Sequence, residues 1–425
     1  MVYAASCPEE FHPSECDYFM IPCDSFIRIS ICCALLFCVG CGQSLISLEK
    51  KNEAAPQFRV LGTTSSVPLS TLPAPAGKKP ISYHAGADFT ISYHNNVLTE
   101  DVTWRGRVLI AGVLTIAPQA TVKIEPGTVI SFVPSPNGYQ QGALLVKGRI
   151  AAVGTAGKQI FFKAATSDIS PDTWQGIIVL GSEKTNVFEY CRIEGATVGL
   201  DSIFSTVSLK NTVIHTCRTG ARLQNSLFQA LDGGVSGSDV GYALLDSESY
   251  LRNVSCTGNI MGVSLSRGSL RVNGSSFSGN TARALDAVDS KVKVTGAVFS
   301  KNGTGIVLAG SEGTIEASKI VENREYGLQL ANSRMKIFDN LIFMNTGIGI
   351  MSDTAGSAAW GNNISRNGLY DFYNAGSEDF RAIANWWGAP AGKGQKRRIF
   401  DKAVDSSRGS VLTSPELSAP PADAL

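Results

Sequence analysis

The stretch GAVFSKN at positions 296–302 carries an apolar residue, Phe299, followed three positions later by Asn302. The same pair recurs through the second half of the chain at a spacing of 21 or 22 residues. Its members are Cys256/Asn259, Phe277/Asn280, Phe299/Asn302, Ile320/Asn323, Ile342/Asn345 and Ile364/Asn367. A sustained period of this length predicts a solenoid in which each repeat forms one coil.

A second signal runs in phase with the first, a glycine followed by alternating apolar residues. This glycine occurs at positions 220, 241, 262, 305, 327, 347 and 368, with Ala282 in the missing slot. Between the turns lie short alternating segments such as LRVNG and VKVTG, which predict strands. Leucine-rich repeats have a similar length, but their leucine pattern and helical segment are absent. We therefore predict an all-β parallel β-helix (solenoid) with about 21–22 residues per coil.

The recurring asparagine has a structural explanation in such a coil. Asparagine tolerates the left-handed backbone of a tight bend, and its amide can bond to the same amide one coil away. We expect the amides to form a ladder inside the turn, with the apolar partner pointing into the core. The pair therefore predicts architecture rather than chemistry.

The segments IAPQATVKIEPGTVISF (116–132), GRIAAVGTAGKQIFF (148–162) and ANWWG (384–388) carry a resemblance to a known fold family. They are similar to the right-handed parallel β-helix proteins of bacterial surfaces and periplasm, the pectate-lyase-like and NosD-like superfamily. The resemblance extends over roughly residues 90–420 and implies a single-stranded right-handed β-helix over 91–390, followed by a C-terminal tail, 391–425. It does not define an activity, because this fold hosts many functions.

The N-terminus predicts export and lipidation. Arg28 precedes an apolar run at 29–39, too short to span a bilayer, and Gly40-Cys41 follows it. The segment resembles a bacterial lipoprotein signal, which implies lipidation of Cys41, with residues 1–41 as the signal and Met20 as an alternative start. Residues 42–90 are predicted to be a flexible Ser/Thr/Pro/Ala-rich linker. A plain secretory signal and a single anchoring helix remain alternatives.

This reading places the protein in the bacterial cell envelope, held to a membrane through lipidated Cys41. We expect the outer membrane or cell surface rather than the inner membrane. The formal net charge of +1 gives no field that would recruit nucleic acid, so no nucleic-acid partner is predicted. The oligomeric state is left open.

The sequence gives little support for catalysis. The Asn-Thr-Asp, Asp-Asp and Gly-His-Gly motifs of polygalacturonase-like β-helices are absent, and acidic residues are scattered rather than clustered for calcium. His and Met are too sparse to predict a copper site, and His215 stands alone in its coil. We predict no catalytic residues, no metal site and no cofactor. Calcium is expected only if the protein is a polysaccharide lyase.

Binding along one flank is the predicted function. The fifth residue after the glycine is Asn225, Asp246 and Arg267 on successive coils, and Tyr250 lies near Asp246. An aromatic ring beside polar groups suits a sugar ring, so we predict that these four residues bind a polysaccharide or an envelope partner. The alternative for each is a solvated turn residue, and Arg271, Lys291 and Lys293 are interpreted in that way. The alternative function is a polysaccharide lyase, hydrolase or epimerase.

Overall fold

A computed structural model describes residues 89–134, 142–354, 356–389 and 398–421. The predicted signal, with Cys41, and nearly all of the predicted linker lie outside the described residues. All described residues belong to one compact unit, Pro75–Leu425. This part of the chain forms a right-handed parallel β-helix built from three long parallel sheets, so the predicted fold is confirmed.

Each of the first 13 coils contributes one strand to each sheet, in the order sheet A, sheet B, sheet C, and the last described strands, β40 and β41, belong to sheets B and C. Sheet A contains β1 Ile91–His94, β4 Arg107–Ala111, β7 Val129–Phe132, β10 Ile160–Ala164, β13 Cys191–Glu194, β16 Val213–His215, β19 Gly234–Ser236, β22 Ser255–Thr257, β25 Ser276–Ser278, β28 Val298–Ser300, β31 Lys319–Val321, β34 Leu341–Phe343 and β37 Asn363–Ser365.

Sheet B follows the first corner of each coil. It contains β2 Val97–Leu98, β5 Val113–Ile116, β8 Ala143–Val146, β11 Trp174–Leu180, β14 Ala196–Ile203, β17 Thr219–Gln224, β20 Val240–Leu245, β23 Met261–Ser266, β26 Arg283–Val288, β29 Thr304–Ala309, β32 Tyr326–Ala331, β35 Ile348–Ser352, β38 Tyr370–Asn374 and β40 Ile399–Phe400.

Sheet C completes each coil and leads to the next strand of sheet A. It contains β3 Val102–Trp104, β6 Thr121–Ile124, β9 Arg149–Val153, β12 Asn186–Glu189, β15 Thr206–Lys210, β18 Leu227–Leu231, β21 Glu248–Arg252, β24 Ser269–Asn273, β27 Lys291–Thr295, β30 Glu312–Glu316, β33 Arg334–Phe338, β36 Ala358–Trp360, β39 Phe380–Arg381 and β41 Val411–Leu412.

The strands form because apolar and polar residues alternate along them. In β24, Leu270 and Val272 are buried, whereas Ser269, Arg271 and Asn273 face outward. The inward side chains of all three sheets stack into one continuous hydrophobic core. Each strand is hydrogen-bonded to the equivalent strands of the coils below and above, so edges remain only at the two ends.

Each corner of a regular coil consists of a left-handed residue followed by a buried one. In one coil these pairs are Asp246/Ser247, Asn253/Val254 and Gly258/Asn259, and the first residue of each pair has a φ of 47°, 52° and 64°. The predicted left-handed backbone at the ladder asparagines is therefore wrong. The residue before each of them adopts that conformation, which leaves the asparagine free to turn its side chain inward.

The predicted asparagine ladder is confirmed. The amide Nδ2 of Asn259 donates to Oδ1 of Asn280 at 3.0 Å, and Asn280 donates to Asn302 at 2.9 Å. The series continues through Asn323, Asn345 and Asn367 at 2.9–3.0 Å. All six side chains are buried, so the ladder satisfies polar groups that would otherwise destabilise the core.

The glycine slot differs from the prediction at three coils. The register pairs Val263 with Leu285 and Leu328 with Ile350, so the equivalents of Gly262 and Gly327 are Ala284 and Gly349. Ala282 and Gly347 therefore lie two residues before the slot, and Gly368 lies three residues before it. In the last regular coil the slot is occupied by Asp371, because Ile350 pairs with Phe372.

Two strands lie beyond residue 390, in the segment predicted as a C-terminal tail. Strand β40 pairs with β38 and β41 pairs with β39, so they extend sheets B and C at the C-terminal end of the stack. Among the described residues, no helix has the length and apolar character needed to cross a membrane.

Candidate functional site

The outer face of sheet C presents a regular column of side chains, one from each coil. The register places Ser208, Gln229, Tyr250, Arg271 and Lys293 next to one another in this column. Because neighbouring strands are about 4.8 Å apart, successive side chains are close enough to contact the same ligand. The strands hold them at fixed spacing, which suits recognition of a repeating molecule.

A groove of about 470 Å³ lies on this face, and we call it groove 1. Tyr250 is half-buried and has Gln229 and Arg271 as its register partners. The amide of Gln229 donates to Ser208 Oγ at 2.8 Å. Groove 1 is lined by Thr185, Thr206, Val207, Ser208, Leu227, Phe228, Gln229, Glu248, Ser249, Tyr250, Ser269 and Arg271.

The four predicted binding residues fall in two places. Tyr250 lines groove 1, whereas Asn225, Asp246 and Arg267 are the left-handed corner residues between sheets B and C. The Arg267 guanidinium binds both carboxylate oxygens of Asp246 at 2.9 Å. This hydrogen bonding raises the pKa of Arg267. A binding role for the four residues stays a prediction, and the structure shows that only Tyr250 lines the groove.

Sequence reasoning missed a second groove of about 420 Å³, which we call groove 2. It is lined by Asp289, Ser290, Lys291, Gly310, Ser311, Glu312, Asn332 and Arg334. The sequence did contain a signal for it. Counting five residues from the correct slots, Ala284, Gly305 and Gly327, gives Asp289, Gly310 and Asn332, the corner residues of groove 2.

Sheet A carries His215, the histidine that the sequence singled out. On the outer face of this sheet, Arg192 and Glu194 form an ion pair with each other. Glu194 is aligned with His215 on the next coil, and His215 Nδ1 lies 3.0 Å from Ser236 Oγ. The histidine is thus held by a hydroxyl one coil away.

Comparison with known proteins places the chain in a family. The family model described as "Periplasmic copper-binding protein (NosD)" matches residues 156–346 and 288–388, together more than half of the chain. The chain belongs to the NosD family. The description of the NosD family as periplasmic agrees with the predicted location in the bacterial cell envelope.

Solved structures similar to this NosD-family chain include two epimerases. The periplasmic alginate epimerase AlgG is 14% identical, with a TM-score of 0.40 over 68% of this chain and 78% of that chain. The A-module of the Azotobacter vinelandii mannuronan C-5 epimerase AlgE4 is 11% identical, with a TM-score of 0.40 over 74% and 91%. A search of the curated proteins finds no match.

The NosD name implies copper, but the described residues do not fit that metal. They contain no group of three or more His, Cys, Asp or Glu placed to hold an ion. His94 on β1 and His215 on β16 lie in different coils. Burial raises the pKa of Cys217 and Cys256 to about 12 and raises that of Cys191 as well. These thiols are therefore protonated at neutral pH, and metals bind the thiolate.

Proposed function

We propose that this protein is a non-catalytic, lipid-anchored component of the bacterial cell envelope that binds a polysaccharide along sheet C. In this proposal lipidated Cys41 attaches the chain to a membrane, the outer membrane or the cell surface rather than the inner membrane. The linker separates the anchor from the β-helix, and the outer face of sheet C carries the ligand.

The position of Tyr250 in groove 1 is the observation that supports the proposal. A half-buried tyrosine offers an apolar ring face together with a polar hydroxyl. Around it, Gln229, Ser208 and Ser269 supply amide and hydroxyl groups that can bond to sugar hydroxyls. A shallow groove that combines one aromatic ring with neutral polar groups fits a sugar better than it fits an apolar molecule.

The single carboxylate among the residues that line groove 1 supports binding rather than hydrolysis. Glycoside hydrolysis by the usual route requires two carboxylates on either side of the scissile bond, one as acid and one as base or nucleophile. Among the residues that line groove 1, Glu248 alone carries a carboxylate. Groove 1 therefore lacks the pair that this chemistry needs.

The test is retention of the full-length protein, in detergent, on a panel of acidic and neutral polysaccharides with calcium present. We expect Tyr250→Ala to weaken binding about tenfold, the loss expected when one aromatic contact is removed. Tyr250→Phe should bind nearly as well as the natural protein, because it keeps the ring. Tyr326→Ala is the matched control, since Tyr326 is a half-buried tyrosine on sheet B.

Two results would contradict the proposal. If no polymer retains the natural protein, the glycan-binding function fails. If Tyr250→Ala and Tyr326→Ala behave alike, groove 1 is not the site. New reducing ends, unsaturated sugars or a changed sugar configuration in the same incubations would show the alternative function, a polysaccharide lyase, hydrolase or epimerase.

Lipid attachment has a separate test. Several acyl chains on one cysteine hold a protein stably at a membrane, whereas the unlipidated chain has no such anchor. We expect the natural protein to incorporate labelled palmitate and to sediment with membranes, and Cys41→Ser to do neither. Sedimentation of the Cys41→Ser variant with membranes would favour an anchoring helix over a lipid.

A further inference from the structure

Groove 1 and groove 2 lie end to end along sheet C. The first outward column of this sheet starts at Thr206 in groove 1 and ends at Arg334 in groove 2. The two grooves meet where Ser269, which lines groove 1, pairs with Lys291, which lines groove 2. From β15 to β33 there are six strand-to-strand steps of about 4.8 Å, which gives a length of roughly 29 Å.

The charge on this face changes between the two grooves. The four strands from β24 to β33 direct five cations outward, Arg271, Lys291, Lys293, Arg334 and Lys336, against two carboxylates, Glu312 and Glu316. Both carboxylates already form ion pairs with lysines of the same face: Lys291 lies 3.6 Å from Glu312, and Lys293 lies 3.6 Å from Glu316. Asp289 at the corner is the remaining carboxylate that lines groove 2.

Three cations on this face are left without an ion pair to any described residue, namely Arg271, Arg334 and Lys336. All three are exposed. On the three preceding strands of groove 1, β15, β18 and β21, in contrast, Lys210 pairs with Glu189 at 2.7 Å and Arg252 lies 3.9 Å from Asp232. Positive charge that the protein itself does not neutralise therefore lies at Arg271, where groove 1 meets groove 2, and at Arg334 and Lys336, at the far end of groove 2.

We infer that the two grooves are subsites of one continuous site for a linear polysaccharide that carries carboxylate groups and lies parallel to the axis of the β-helix. This inference rests on the proposed function and extends it. Tyr250 and the neutral groups of groove 1 contact sugar rings and hydroxyls. Arg271 and Arg334 bind sugar carboxylates through the two-pronged hydrogen bonds that guanidinium groups form. Groove 2 adds affinity only for a chain long enough to reach it.

The test uses calorimetry with the full-length protein and oligomers of galacturonic acid of increasing length. Fully methyl-esterified oligomers of the same lengths are the matched ligands, because esterification removes the charge and keeps the chain. We expect affinity to rise with length for the acid series and the acid form to bind at least about fivefold more tightly than the ester, a gap that shrinks at high salt.

Arg334→Ala should weaken binding of long acidic oligomers about fivefold and leave disaccharide binding unchanged. Arg334→Lys should retain part of the gain, since it keeps the charge but not the planar fork. Lys402→Ala is the control, because it removes an exposed cation from the segment between β40 and β41. It should bind every oligomer like the natural protein.

The outcomes separate this inference from the proposed function. If esters bind as tightly as acids, or if Arg334→Ala behaves like Lys402→Ala, the inference is overturned while glycan binding stands. If neither series binds at any length, the inference is overturned, and the polysaccharide panel decides whether the proposed function fails as well. If single-stranded nucleic acid or polyphosphate competes as well as the acidic oligomers, the site is selective for charge alone and the polysaccharide assignment is wrong.

Discussion

A single ladder asparagine connects residues of several coils. The Asn302 amide nitrogen donates to Asn323 Oδ1 and to the Phe277 carbonyl oxygen, both at 3.0 Å. Its amide oxygen accepts from the backbone N–H and from the amide of Asn280, both at 2.9 Å. One buried side chain therefore satisfies four polar groups, none of which can reach water instead.

Asn302→Ala should consequently be among the most damaging substitutions in the regular coils. It leaves buried donors and acceptors without partners, at roughly 1–3 kcal/mol for each such group, so we expect a loss of about 3 kcal/mol or more. Urea or thermal unfolding followed by circular dichroism measures this. The control is Asn273→Ala at an exposed position of β24, which should change stability by less than about 0.5 kcal/mol. If Asn302→Ala lowers the free energy of unfolding no more than Asn273→Ala does, the ladder adds no stability.

At the scale of the element, the slot of sheet B holds glycine because the backbone of the next coil approaches it too closely for a side chain. A Cβ added at Gly327 would lie 2.7 Å from the Gly349 carbonyl oxygen and 2.8 Å from Asn345 Nδ2. Both atoms belong to rigid, hydrogen-bonded parts of the next coil. The glycine is therefore required by close approach of the backbone and not by its φ angle.

Gly327→Ala should destabilise the protein by about 1–3 kcal/mol, the range for overpacking in a well-packed core. Gly157→Ala provides the comparison, because a Cβ there meets no atom within 4 Å. That variant should be neutral or slightly more stable, since alanine restricts the unfolded chain. Measured free energies of unfolding that rank the two variants the other way would contradict this account of the slot.

Asp371 occupies the last glycine slot of sheet B, and its side chain terminates the asparagine ladder. Its Oδ1 accepts from the Asn367 backbone N–H at 3.0 Å and from the Asn367 amide at 2.9 Å, as the next asparagine would. Burial raises the pKa of Asp371, and the bonds from Asn367 oppose the shift only in part. The folded state therefore holds this proton more tightly than the unfolded state does.

The sign of the pH dependence follows from this difference. The contribution of Asp371 to stability is most favourable below its unfolded pKa and is lost as pH rises through the folded pKa. Asp371→Asn should therefore melt at a higher temperature than the natural protein at pH 7, and the difference should disappear near pH 4. Asp168→Asn, at an exposed carboxylate, should show no such trend. A variant less stable at every pH would mean that the ionised carboxylate is stabilised by the positive charge of Arg398, which acts to lower the pKa of Asp371.

The sequence predicts the sheets and the ladder because both depend on strict spacing. It misplaced the slots at Ala282 and Gly347 by two residues for a physical reason. Successive side chains of a strand alternate with a period of two, so a shift of two residues keeps every side chain on its own face. Glycines two apart, such as Gly347 and Gly349, look equivalent in the pattern, and only the hydrogen-bonded register distinguishes them.

The candidate site was less accessible to sequence reasoning than the fold. Tyr250 stands out as an aromatic residue among polar ones, and the structure places it in groove 1. The importance of Arg271 and Arg334 depends on what their neighbours are paired with, which requires knowing that Lys291 faces Glu312 and Lys293 faces Glu316. Such pairs lie 21 to 23 residues apart in sequence, and the pattern of charges along one strand does not reveal them.

At the scale of the whole molecule, each coil contacts its neighbours and little else, so the stack is nearly one-dimensional. The register pairs Arg283 of β26 with Thr304 of β29, one coil later. Removing residues 283–303 would therefore join Ala282 directly to Thr304, which occupies the position of Arg283 one coil later. All three sheets, the core and the asparagine ladder would stay in register, with Asn280 bonding to Asn323.

This deletion should give a folded β-helix with unchanged circular dichroism per residue and a modestly lower melting temperature. Deleting only residues 283–293 removes about half a coil, so every later strand would be shifted out of its sheet, and we expect an unfolded or aggregated product. Circular dichroism and analytical size-exclusion chromatography distinguish the two. If both deletions unfold the protein, stability depends on contacts beyond the nearest coil. If both fold, the side-chain register does not hold the stack together, and the ladder and slot arguments fail with it.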